Sequence, residues 1–425
     1  MSAVGASPPV ARLARRQRLT ELVLEGRTEE SLPLWREELD DGGGLPWAQQ
    51  LVDRALTEAD LTIAGRYANI LARLRWGGDA ARADDERPAP SHPPNIAKLR
   101  HDSEQFLFLQ RRGILGGEEM TPIIGEYQRL MAQLETQGLE ARLPFDSDGF
   151  RGGIRDAYNR IFHIRDTPRI SRALSDSWDP PAVEDEYLDH APGIVVIDNF
   201  LQPEALEAVR DFCLESTVWS GNRYALGRLG AFFQDGFNAP LLLQIAEELR
   251  EALPPRVIGE RYPLRQLWGG FKSGPELPPD ATTHADFAAV NVNFWTTPPT
   301  PRTWPPGSGG LVVYDIDAPP SAGGFDTYNG RTDVIKPFLR DKHSIARVVP
   351  YRQNRAILFN SDLFHATGKV HFKPGFENLR VNVTMLYGQR EDEVHHRQLS
   401  GPEVPLRSGG LRPAWRSESW ARARR

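Results

Sequence analysis

The chain has 425 residues, of which 40% are hydrophobic, 9% aromatic and 25% charged, with a formal net charge of −6. That is enough apolar material for more than one domain, and the slight acidity excludes a global attraction to nucleic acid or to an anionic membrane. The single cysteine, Cys213, excludes an intrachain disulfide and a thiolate metal centre.

Arg12, Arg15, Arg16 and Arg18 near the start precede no continuous apolar stretch, and no run is long enough to span a bilayer. The expectation is a cytoplasmic protein without a leader or membrane segment. Residues 1–86 read as a helical region. Leu19, Leu22 and Val23, then Leu32, Leu34, Trp35 and Leu39, then Ile63, Tyr67, Ile70, Leu71 and Leu74 recur at helical spacing. The proline-rich stretch 87–95 reads as a linker. A helical block and connector follow over 96–185. Amphipathic helices are expected at 96–112, on Leu99, Phe106, Leu107 and Leu109, and at 120–137, on Ile123, Ile124, Tyr127, Leu130, Met131 and Leu134. His101 and Asp102 in the first helix read as a solvated or capping pair, with a metal role as the alternative.

The character changes at Pro192. A strand is expected at 193–200 and a helix at 201–213, entered through Pro203 and Glu204. A helix at 239–253 follows, then strands at 266–272, 290–295, 311–314, 344–350, 356–360 and 379–387. Short strands between glycine- and proline-rich turns point to a sandwich or jelly roll. Segments 296–310 and 319–340 read as long irregular loops, of the kind that form lids or binding loops. Trp304, Tyr328 and Arg331 within them are candidate substrate contacts. Trp268 and Lys272 lie on the strand at 266–272, where Trp268 reads as core. Residues 396–425 form an arginine-rich tail, expected to be disordered and solvated, with contact to acidic partners as the alternative.

The one His-x-Asp triplet among ten histidines is His284-Ala285-Asp286. On an extended chain, alternation puts both ligand-type side chains on one side. Alone, the triplet also fits a loop histidine beside a turn aspartate. A second element adds to it. Residues 356–360 read as a buried strand, and Ser361-Asp362 shape a turn leading to His365. Two imidazoles and a carboxylate are the donors of a mononuclear non-haem Fe(II) site with open positions. The strand at 379–387 then puts Arg380, Asn382 and Thr384 on one face and Val381, Val383 and Met385 on the other. A mid-strand arginine against an apolar core is costly unless paired, and an anionic ligand held inside would resolve the cost. The alternative is an edge-strand arginine in water. Asn291 and Asn293 share one face of the strand after Asp286, which lines either a cavity or solvent.

The stretches HADFAAVNVNFW, GGLVVYD and NRAILFNSDLFHATGKVHFKPGFENLRVNVTMLYG resemble the Fe(II)/2-oxoglutarate-dependent dioxygenases, in their prolyl-hydroxylase-like branch, over about half the chain. The resemblance implies an α+β protein: a double-stranded β-helix (jelly-roll) oxygenase domain over 186–395, preceded by an α-helical N-terminal region. It implies that His284, Asp286 and His365 hold the iron, with His371 as the alternative third ligand, and that Arg380 binds 2-oxoglutarate. Thr384, Asn293 and Asn382 would line the same co-substrate pocket. Fe(II), 2-oxoglutarate and O₂ are the implied cofactor and co-substrates, and succinate and CO₂ the co-products. Hydroxylation of an amino acid, a peptidyl residue or a secondary metabolite is the implied reaction. Desaturation and ring closure begin with the same hydrogen abstraction. The competing reading is a jelly-roll ligand-binding or scaffold protein without turnover, although such a module has no need of an open iron face. The helical half would recruit a protein or carrier-bound substrate, or form a homodimer.

Overall fold

The computed structural model describes residues 9–41, 44–77, 92–138, 140–189, 193–223, 227–272, 283–298, 309–319, 325–370 and 372–389. Most of the 87–95 linker, the tail at 396–425, Trp304, His371 and the Lys272 side chain lie outside the described residues. The helices are α1 (Pro9–Leu24), α2 (Thr28–Asp40), α3 (Gly44–Thr57), α4 (Leu61–Trp76), α5 (Ile96–Arg111), α6 (Gly117–Glu135), α7 (Pro180–Asp189), α8 (Pro203–Glu215), α9 (Pro240–Ala252), α10 (Phe325–Gly330) and α11 (Thr332–Asp341). The strands are β1 (Ile194–Asp198), β2 (Arg228–Phe232), β3 (Leu264–Lys272), β4 (Val290–Trp295), β5 (Leu311–Asp317), β6 (Ala346–Val349), β7 (Arg355–Asn360), β8 (Leu363–Thr367) and β9 (Arg380–Tyr387). Among the described residues no helix is long and apolar enough to cross a membrane.

The chain divides into two compact units. The first comprises Met1–Ile170, Ala208–Gln244 and Leu267–Ser273, and the second Ser171–Glu207, Ile245–Gln266 and Gly274–Arg425.

The first unit is mostly helical. Leu19, Leu22, Val23, Leu32, Trp35, Leu39, Tyr67, Ile70, Leu71 and Leu74 are all buried, as their spacing requires. Side-chain caps start two of the helices. The Ile63 N–H donates to Asp60 at the head of α4, and the Lys98 N–H donates to Asn95 at the head of α5, each at 2.9 Å. Gly26, at φ +80°, ends α1 with the Arg27 N–H donating back to the Leu22 carbonyl, a left-handed closure that favours glycine. Helices α5 and α6 share a core in which Leu99, Phe106, Met120, Tyr127 and Leu130 meet Phe150 and Ile154. The pair β2–β3 is antiparallel, from Arg228 opposite Lys272 to Phe232 opposite Trp268. Strand β2 is short and centred on Gly230, so it carries little strand pattern. Trp268 is half-buried and packs edge-on to Phe232.

His101 and Asp102 depart from expectation. Neither is solvated: their relative exposures are 0% and 4%, and Lys98 beside them is 3% exposed. The Lys98 Nζ donates to both Asp102 oxygens at 2.5 and 2.7 Å, and His101 Nδ1 lies 3.1 Å from Asp102 Oδ1. The His101 ring packs against Phe271 and Trp219. Helix α5 is buried around most of its circumference, so its polar residues satisfy one another instead of facing water.

The second unit contains two antiparallel sheets. One runs β1-β7-β4-β9 and the other β6-β5-β8. Ile194, Trp295, Ile357 and Phe359 of the first sheet share a core with Leu311, Val313, Val349 and Leu363 of the second, so the sheets pack face to face. Strand β4 lies between β7 and β9 and is buried along its whole length. It turns Val290, Val292 and Phe294 one way, and Asn291, Asn293 and Trp295 toward the second sheet.

One local reading is corrected in this unit. Residues 319–340 are not one irregular loop, because α10 and α11 occupy much of the stretch. Ile335 and Leu339 are a buried i, i+4 pair, but Pro337 inside α11 mimics a breaker. The Ser361-Asp362 turn leads to His365 as expected. That histidine sits in the middle of β8, a strand of its own in the other sheet.

Candidate metal centre

The three expected metal ligands come together in the second unit. His284 lies just before β4 and forms an antiparallel bridge with His365 on β8. The His284 N–H donates to the His365 carbonyl at 3.0 Å, and the reverse bond is 2.8 Å. The Asp286 N–H reaches the carbonyl of Ser361 in the turn ahead of β8, at 3.3 Å. Backbone pairing across the two segments therefore sets the ligand positions.

One donor atom from each of His284, Asp286 and His365 lies within 4.8 Å of the others, and all three residues are buried. The Nε2 atoms of His284 and His365 are 3.6 and 3.4 Å from the Asp286 carboxylate. The imidazole rings are 4.3 Å apart, and Phe359 stands edge-on to His365. His365 Nδ1 is 3.1 Å from the Leu363 carbonyl, so Nδ1–H donates there and the Nε2 lone pair is left for a metal. Two neutral imidazoles and one carboxylate fit a divalent transition metal, and this donor set is that of non-haem Fe(II) centres.

A chain of amide and hydroxyl groups leads away from the carboxylate. Asn291 Nδ2 donates to Asp286 Oδ2 at 2.6 Å, and Asn293 Nδ2 donates to Asn291 Oδ1 at 2.6 Å. The Thr384 hydroxyl donates to Asn293 Oδ1 across the β4–β9 pair, where the two residues are register partners. Asn382 Nδ2 donates to Thr384 Oγ1 at 3.1 Å, and Arg380 Nη1 to Asn382 Oδ1 at 2.9 Å. Asn291 and Asn293 are 0% and 7% exposed, which excludes the solvent-facing reading of β4. A buried polar side chain needs a partner, and each member of this chain supplies one to the next.

Arg380 is itself buried, which excludes the edge-strand alternative. Its Nε donates to the Gly309 carbonyl at 2.5 Å, and its guanidinium lies 5.5 Å from the centre of the Trp295 ring. Tyr351 packs between Trp295 and Phe372 to complete an aromatic wall. Gly309, at φ +81°, allows this approach. A Cβ there would lie 2.6 Å from the Phe372 ring and 3.3 Å from Arg380 Cδ.

The two described loop candidates lie elsewhere. Tyr328 is 3% exposed and packs with Ala285, Ile335, Leu339 and Phe364, so it is core and not a substrate contact. Arg331 is exposed and pairs with Asp333 in the first turn of α11, at 2.7 Å. The sequence leaves the role of one contributor open and that of another unread. Asn291 as the carboxylate's partner is legible only once the strand's inner face is known. Asn329, whose Nδ2 donates to the Ala285 carbonyl at 3.2 Å, carries no local signal.

No protein-family model matches the chain, and no curated protein matches it. Solved structures similar to it include a prolyl hydroxylase from Trichoplax adhaerens in complex with a hypoxia inducible factor peptide fragment, at 15% identity. That alignment covers 54% of this chain and 98% of the other, with a TM-score of 0.30. A prolyl-4-hydroxylase from Pseudomonas putida is 15% identical over 49% of this chain and 98% of its own, with a TM-score of 0.29. The non-haem, alpha-ketoglutarate-dependent carbocyclase SnoK from nogalamycin biosynthesis is 12% identical over 56% and 98%, with a TM-score of 0.35.

Proposed function

We propose that this protein is an Fe(II)- and 2-oxoglutarate-dependent dioxygenase. In this reading it hydroxylates an unactivated C–H bond of an amino acid, a peptidyl residue or a secondary metabolite. The observation that carries the reading is the join between the His284–Asp286–His365 cluster and the buried Arg380, made through Asn291, Asn293, Thr384 and Asn382. A metal-binding cluster and an anchor for a dicarboxylate are thus linked through the side chains of the paired strands β4 and β9. In this reading residues 186–395 form a double-stranded β-helix with its two sheets closed over the site.

Each residue has a defined task. His284, Asp286 and His365 hold the iron and leave one face of it open. The bound metal would supply O₂ activation coupled to decarboxylation of 2-oxoglutarate to succinate and CO₂. Arg380 grips the far carboxylate of the co-substrate as a charge-assisted pair in a dry pocket. Thr384, Asn293 and Asn382 fix the approach of that carboxylate. Trp295, Tyr351 and Phe372 keep water from the guanidinium, which strengthens the pair. The helical segments 1–86 and 96–185 recruit a peptidyl or carrier-bound substrate or form a homodimer. We place the protein in the cytoplasm, a setting in which a chain with the single cysteine Cys213 needs no disulfide. Anaerobic titration with Fe(II) and 2-oxoglutarate, followed by a screen of candidate substrates for succinate release, tests the reading. A protein that binds iron but forms no succinate with any class would favour ligand binding without turnover.

A further inference from the structure

We infer that the α10–α11 insert is a brace for the metal centre, with Asn329 as its positioning residue. The inference rests on the proposed function only in taking the His284–Asp286–His365 cluster to bind a divalent metal. Ala285, between two ligands, is held at both backbone groups by α10. Its N–H donates to the Tyr328 carbonyl at 3.0 Å, and its carbonyl accepts from Asn329 Nδ2 at 3.2 Å. Its methyl group is fully buried in a cluster with Ala318, Tyr328, Ile335, Leu339 and Phe364. Phe364 is the residue before the third ligand, and its ring lies 6.0 Å from that of Phe338 on α11.

Alternation gives these contacts a direction. On an extended chain Ala285 points away from His284 and Asp286, and Phe364 points away from His365. The insert therefore packs on the back of both ligand-bearing segments, while the ligands face the other way. A substrate lid would cover the ligand side. The insert instead fixes the separation of the two segments, and with it the bite of the three donors. Groups that orient metal ligands without touching the metal typically change metal affinity by about 10- to 100-fold when removed.

The test uses the full-length protein and Co(II), whose visible absorption reports ligand geometry. Asn329→Ala, Asn329→Gln and wild type are compared for Co(II) spectrum, Co(II) affinity and the rate of metal release to a chelator. Thermal midpoints of the metal-free proteins are measured alongside. Asn329→Ala is expected to release Co(II) about tenfold faster with an altered spectrum, and Asn329→Gln to recover part of the loss. Val183→Ala, a core truncation on α7, is expected to lower the metal-free midpoint without moving the spectrum or the release rate. Wild-type release and spectrum in Asn329→Ala would overturn the brace while leaving the proposed function standing. So would changes of equal size in Val183→Ala. A wild-type protein that binds Co(II) no better than a His365→Ala variant would overturn both.

Discussion

Asn291 Nδ2 sits 2.6 Å from Asp286 Oδ2, so the carboxylate of the candidate metal centre is oriented by an amide on β4, the strand that directly follows it. Asn291 is in turn held by Asn293, and Asn293 by Thr384 on the paired strand. The side chain that would carry the metal's charge is tied to the side chain that would carry the co-substrate's. Replacing Asn291 with leucine, similar in size but without the amide, is expected to weaken Fe(II) binding about 10- to 100-fold. Anaerobic calorimetry on the two proteins checks this, and an unchanged iron affinity would remove Asn291 from the site.

The ligand set makes a sharper demand. His284→Ala, Asp286→Ala and His365→Ala are each expected to lose bound iron and 2-oxoglutarate turnover, whereas His371→Ala keeps both. Iron content and succinate yield of the purified variants decide the matter. Retention of both in His365→Ala, with loss in His371→Ala, would exchange the third ligand.

The role proposed for Arg380 concerns the co-substrate and not the metal. Arg380→Ala is expected to raise the 2-oxoglutarate requirement by about 30- to several-thousand-fold, the equivalent of about 2 to 5 kcal/mol for a buried charge pair, with iron affinity little changed. Lysine at 380 should restore only part, because an ammonium is a point charge without the guanidinium fork. Equal 2-oxoglutarate affinity in wild type and Arg380→Ala would show that the anion is held elsewhere.

The buried ion pair in the first unit bears on stability. Asp102→Ala leaves the Lys98 ammonium buried alone and is expected to cost about 3 to 5 kcal/mol, read by urea denaturation. The double variant Lys98→Met with Asp102→Leu should cost less than the single one, since no charge is stranded. Burial lowers the pKa of His101, against the opposing pull of the Asp102 carboxylate. The folded imidazole is thus harder to protonate than the unfolded one, which titrates near about 6.5. Its contribution to stability is complete above that value and is lost as pH falls toward the lower folded pKa. His101→Gln should flatten the pH dependence of stability in that window, and an unaltered slope would assign it to another group.

What the sequence revealed of this site follows from period. The run from Val290 to Trp295 and the run from Arg380 to Tyr387 alternate cleanly, so Asn293, Asn382 and Thr384 could be placed on shared faces before any partner was known. Which face turns inward depends on the second sheet, whose Leu311 and Val313 share a core with Trp295 on the same face of β4 as Asn291 and Asn293. Helix α11 was hidden because Pro337 outweighed the Ile335–Leu339 pair. The fates of Tyr328, His101 and Asp102 were set by packing between segments distant in sequence, which leaves no mark on the residues beside them.

The claim that metal and 2-oxoglutarate share one site is tested most directly by anaerobic calorimetric titration of 2-oxoglutarate into the protein with and without Fe(II). One equivalent of 2-oxoglutarate is expected to bind with Fe(II) present, and binding is expected to weaken sharply when Fe(II) is withheld or when His284 and Asp286 are both alanine. Binding of 2-oxoglutarate that is indifferent to Fe(II) and to those two substitutions would contradict the account.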